Sequence, residues 1–85
     1  LIDALTPDTA IVSISSAFYR TGYLHDLEAI AEAMMDICPD AALLLDVYQT
    51  LGTVPLDVSG LPWRTAILGG GGKQLRSGLG AGFAW

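Results

Sequence analysis

The run Ala41-Ala42-Leu43-Leu44-Leu45-Asp46 decides the fold. It is short, apolar throughout and ends on an acid, and such runs suit a strand covered on both faces, as in a parallel sheet. Upstream, Pro39 closes a predicted helix that begins at Asp26, a plausible N-cap, with Glu28 in the first turn where the helix dipole favours an acid. Leu27, Ile30, Ala31, Met34 and Cys38 follow at helical spacing and give one apolar stripe. Further upstream, Ala10-Ile11-Val12-Ser13-Ile14 reads as a mostly apolar strand, preceded by the turn material Thr6-Pro7-Asp8 and followed by a polar loop ending at Gly22. Strand, helix and strand form a βαβ unit, whose crossover is right-handed in nearly all known cases. Downstream, Gly52, Pro55, Gly60 and Pro62 punctuate a long connection to another short strand at residues 65–68. That strand runs into Gly69-Gly70-Gly71-Gly72 and Lys73, and Gly78, Gly80 and Gly82 lead to a last strand at residues 83–85. The class is α/β.

The chain has 85 residues, of which 52% are apolar and only 15% charged. A free-standing domain of this size needs a polar skin and buries only about 60% of its unfolded surface. The low charge, the start at Leu1 and the stop within Gly82-Phe83-Ala84-Trp85 read as an interior slice of a larger protein. Four basic residues against nine acidic ones give a net charge of −5, and Arg20, Arg64, Lys73 and Arg76 are scattered. Nucleic acid rewards clustered Lys and Arg, so a nucleic-acid partner is not expected. No apolar run approaches the roughly 18 residues of a membrane span, and no membrane partner is expected either. The single Cys38 cannot form an internal disulfide, which agrees with a reducing, cytoplasmic setting, and reads as an inert, partly buried thiol.

Ligands of open α/β sheets sit beyond the carboxyl ends of the parallel strands. Asp46 ends one such strand and Lys73 lies just past another, so parallel strands would bring an acid and an amine to one rim. Taken alone, Asp46 also reads as a strand-end cap. Gln49 follows three residues later, and a helical turn would place it on the face of Asp46, although it equally suits a solvated polar turn. The glycines before Lys73 would let backbone N–H groups approach an anion, or would simply make a surface loop carrying a solvated lysine. The nucleotide phosphate loop G-x-x-x-x-G-K-[ST] fails here: Ile67 stands six residues before Lys73, and Gln74 follows it. Gly78-Leu79-Gly80-Ala81-Gly82 has the wrong spacing for a dinucleotide fingerprint. His25 lacks a metal-spaced partner and reads as a surface histidine, and no metal site is expected. Ser15, Ser16 and Tyr19 read as loop residues satisfying backbone, since no base is placed for them.

The stretch Asp46-Val47-Tyr48-Gln49-Thr50-Leu51-Gly52-Thr53-Val54-Pro55-Leu56-Asp57-Val58, the glycines with Lys73, and Gly78-Leu79-Gly80-Ala81-Gly82-Phe83 resemble class V aminotransferases. So does Tyr19-Arg20-Thr21-Gly22 followed by Asp26-Leu27 and Ile30. These are pyridoxal-5′-phosphate (PLP) enzymes of fold type I, a group that includes cysteine desulfurases, kynureninases and isopenicillin-epimerase-like proteins. The resemblance covers nearly all of the chain but only the central part of the family's large domain. It implies a mainly parallel sheet with a final antiparallel strand, an amino-acid substrate and a homodimer in the full-length protein. It also implies roles: Asp46 for the residue that pairs with the cofactor's pyridine nitrogen, Gln49 for the one bonded to its phenolic oxygen, and Lys73 for the Schiff-base lysine. Relatives often carry Ser, Thr, His or Tyr just before that lysine, where this chain has Gly70, Gly71 and Gly72, so phosphate contacts from this loop would be backbone-only. A catalytically silent relative or truncated product that keeps the sheet for assembly is the second reading, and a phosphate-binding module without PLP the third. Lys73 discriminates, because only the enzyme needs an amine at that rim.

Overall fold

The computed structural model describes residues 1–78 and 80–85; Leu79, within the glycine stretch that contributes to the resemblance, lies outside the described residues. A short 3-10 turn at Ile2–Ala4 precedes strand β1 (Ile11–Ser15), helix α1 (Leu27–Ile37) and strands β2 (Ala42–Asp46), β3 (Thr65–Gly70) and β4 (Gly82–Ala84). The sheet order is β1-β2-β3-β4. β1, β2 and β3 are parallel, and β4 runs antiparallel to β3, as the resemblance implies. The long connection between β2 and β3 is thus a parallel crossover.

Helix α1 starts where its chemistry directs. The Asp26 carboxylate accepts a hydrogen bond from the Ala29 N–H at 3.0 Å, satisfying one of the orphan donors of the first turn. Cys38 caps the far end, its N–H bonded to the Met34 carbonyl, and Pro39 follows. Ile30, Ala31 and Met34 are buried while Glu32, Met35 and Asp36 face water. The buried stripe joins Val12, Ile14, Leu43, Leu45 and Ile67 in one core. Cys38 belongs to that core as a buried free thiol.

Strand register sorts side chains between two faces. Val12, Leu43 and Thr65 align across the sheet, as do Ile14, Leu45 and Ile67, which places them on the face that meets α1. Ser15, Asp46 and Leu68 align on the opposite face. There Ile11 is 60% and Leu68 39% exposed. Within the described residues the α1 face carries the buried core, while the opposite face is only partly covered.

Two expectations change. β3 runs through Gly69 and Gly70, which the glycine content reads as loop. Pairing with β4 supplies the reason: Gly69 and Gly70 lie opposite Phe83 and Gly82, and partner strands hold the backbone extended where side-chain propensity would not. His25 is half-buried rather than a surface group, its ring edge-on to Phe18 at 4.8 Å and to Tyr23 at 5.1 Å, with Nε2 shielded from water. Aromatic neighbours that fold back across the loop cause this, through the bridge between Ala17 and Leu24. Among the described residues no helix is long and apolar enough to cross a membrane.

Candidate functional site

The carboxyl ends of β1, β2 and β3 finish at one level. The Ser16 N–H donates to the Asp46 carbonyl at 2.8 Å, and the Val47 N–H to the Leu68 carbonyl at 2.8 Å. Asp46 therefore stands at the rim by backbone pairing, not by a flexible turn. Its half-buried carboxylate is held at both oxygens: Oδ2 accepts from the Ser15 hydroxyl at 3.0 Å and Oδ1 from the Tyr48 N–H at 2.8 Å. Hydrogen bonds to an ionised acceptor are among the stronger kinds, and a carboxylate offers about four lone-pair positions, so two bonds orient it and leave capacity for a further donor.

Beyond Asp46 the chain turns helically. Val47 O accepts from the N–H groups of Thr50 and Leu51, and Thr50 O from those of Thr53 and Val54. The turn is anchored by a buried hydroxyl pair, Ser16 Oγ and Thr50 Oγ1 at 2.7 Å, which leaves neither polar atom stranded in the core. Gln49 rides on this turn and lines a surface cavity of about 260 Å³ with Phe18, Tyr19 and Val54. Asp46 and Lys73 do not line that cavity.

Lys73 sits at the tip of a tight loop after β3. The loop is closed by the Ser77 N–H on the Gly71 carbonyl at 2.9 Å and the Arg76 N–H on the Lys73 carbonyl at 3.2 Å. The exposed ammonium Nζ lies 5.0 Å from the centroid of the Tyr48 ring, within cation–π range. The same ring packs on the glycines. A Cβ at Gly70 would fall among the Tyr48 ring carbons, and one at Gly72 would stand 2.9 Å from the Tyr48 hydroxyl. Absence of side chains at these two positions is what lets the ring lie against the strand end. Tyr48 thus touches both ends of the arrangement, Asp46 through its backbone and Lys73 through its side chain.

The sequence reads Ser15 as a loop residue and assigns Tyr48 no role of its own. Ser15 was findable from strand pairing, since a parallel register that ends β2 at Asp46 puts a β1 side chain beside it. Tyr48 carries no local signal, because its contacts come from a loop 25 residues later in the chain (73 − 48).

A second cavity, of about 270 Å³, lies at the start of α1 between His25, Asp26, Thr50, Leu56 and Asp57. Three carboxylates (Asp26, Glu28 and Asp57) and no Lys or Arg line it, which suits no phosphate. The Asp57 carboxyl there is held below its ordinary value of 3.8 by hydrogen bonds from the side chain and backbone N–H of Ser59.

Comparison with known proteins finds partial similarity to two kinds of enzyme. The chain is 37% identical over 60 residues to the kynureninase of Burkholderia mallei (strain SAVP1) and equally to that of Burkholderia pseudomallei (strain 1710b). In each case 71% of this chain and 14% of the kynureninase are covered. It is 29% identical over 75 residues to the uncharacterized aminotransferase YcbU of Bacillus subtilis (strain 168), covering 88% of this chain and 19% of that protein. No family model matches the chain. The chain therefore spans less than a fifth of the curated relatives it matches.

Proposed function

We propose that this chain is the central part of the PLP-binding large domain of a class V aminotransferase-like enzyme of fold type I, acting on an amino acid. The observation that carries the proposal is the pair Asp46 and Lys73, standing beyond the carboxyl ends of adjacent parallel strands and joined through Tyr48. Similarity to kynureninases and to an aminotransferase supports the same reading. A homodimer in the cytoplasm is the setting proposed for the whole protein.

The donor set fits such a group. It needs a fixed carboxylate and an amine, and the residues present are Asp46 with its two orienting bonds and Lys73, beside glycines that lie under the Tyr48 ring. When bound, the cofactor supplies an electron sink for a carbanion at the substrate α-carbon. Asp46 would pair with the pyridine nitrogen and keep its proton in place, oriented by Ser15 and by the Tyr48 N–H. Gln49 would donate its amide to the phenolic oxygen. Lys73 Nζ would tether the group covalently and, when free, would take and return the proton at the substrate α-carbon. Backbone N–H groups of the glycine loop would meet the phosphate.

The test is colour. The intact chain mixed with PLP should develop a violet-region absorption band, and Lys73→Ala should not. A band of unchanged strength in Lys73→Ala would remove Lys73 from the role.

A further inference from the structure

We propose, resting on the reading of Lys73 as the tethering amine, that Tyr48 is a positioning residue for it. In this account the aromatic face holds the ammonium at the rim and restrains its reaction with an aldehyde ligand until the ligand displaces it. Four observations converge on this residue. Its N–H donates to Asp46 Oδ1 at 2.8 Å, so its backbone is fixed relative to the acid. Its ring lies where a Cβ of Gly70 would be, so the ring is braced by the strand end. Lys73 Nζ lies 5.0 Å from the ring centroid. Finally, Lys73 is exposed at the tip of a closed loop, and among the described residues its ammonium has no carboxylate within salt-bridge distance, which leaves the ring as the group that faces its charge.

The chemistry gives the restraint its direction. Capture of the ligand requires the amine to shed a proton to water and its nitrogen to attack the aldehyde carbon, with loss of one water molecule. The ring face stabilises the ammonium, not the neutral nucleophile, and the nitrogen must leave it to react. Cation–π contacts at exposed sites correspond to about a two- to fivefold change in an equilibrium. Substitution by an aliphatic residue should therefore speed capture by about that factor, whereas Tyr48→Phe, which keeps the ring face, should leave it unchanged.

Two measurements on the intact chain decide it. The first, without any ligand, is the proton chemical shift of the Lys73 ε-methylene. It should be displaced upfield by ring current in the native protein and in Tyr48→Phe, and return to the ordinary lysine value in Tyr48→Leu. The second is the rate of covalent labelling of Lys73 by PLP in the presence of cyanoborohydride, whose hydride converts the condensation product to a stable secondary amine. Tyr48→Leu should label about two- to fivefold faster than native and Tyr48→Phe at the native rate. An ordinary shift in the native protein, or equal or slower labelling in Tyr48→Leu, overturns the proposal. Absence of labelling at Lys73 in every variant would overturn the cofactor reading and the restraint together, while the ring-current result would still report whether the contact exists.

Discussion

Gly70→Ala probes the packing on which the candidate site depends. The added methyl would stand 2.6 Å from Tyr48 Cδ2, closer still to Cε2, and 3.0 Å from the Ala81 carbonyl oxygen. The ring must swing off the strand end, and overpacking of this kind costs about 1–3 kcal/mol. Replacing a strand glycine returns about 0.5–1 kcal/mol through the lower backbone entropy of the unfolded chain. The net loss is about 1–2 kcal/mol, a shift in urea midpoint on the order of 1 M for a slope of about 1–2 kcal/mol/M. In a Tyr48→Ala background the ring is gone and only the carbonyl contact remains, so the same substitution should be near neutral. A double-mutant cycle by urea denaturation of the intact chain should return a coupling of about 1–2 kcal/mol between positions 48 and 70. Equal cost of Gly70→Ala in both backgrounds would mean that the glycine is not making room for the ring.

Asp46→Asn should leave PLP capture by Lys73 intact but slow amino-acid turnover by at least about a hundredfold, the scale of losing one preorganised electrostatic partner, as read by steady-state kinetics. Leu45→Ala, at a position with no exposed surface, should cost about 2–5 kcal/mol in chemical denaturation, while Met35→Ala, half exposed on α1, should stay within about 0.5 kcal/mol. Asp26→Ala removes the cap on Ala29 and should cost about 1 kcal/mol, with fraying of the first turn of α1 visible by hydrogen exchange.

The parts of the fold that were legible in the sequence are those whose cause is local. Asp26 and Pro39 bracket α1 because capping and the missing proline N–H act within a turn of themselves. The apolar runs of β1 and β2 announce strands because each must bury successive residues. β3 was legible only as far as Leu68: its last two residues are glycines held extended by β4, and nothing at those positions carries that information. The site divides in the same way. Asp46 and Lys73 stand out because strand ends and glycine loops can be read along the chain. Ser15 reaches Asp46 only through parallel register, and Tyr48 reaches Lys73 only because β3 returns the chain beside β2. His25 departs from its surface reading for a related reason, since Phe18 and Tyr23 close over it only after the loop folds back.

Borohydride reduction of the intact chain with PLP, followed by peptide mapping, asks whether Lys73 is the amine that holds PLP. The pyridoxyl mass is predicted on the peptide containing Lys73, the one lysine in these 85 residues. A pyridoxyl group found on a different lysine of the intact protein, with Lys73 unmodified, would remove Lys73 from that role.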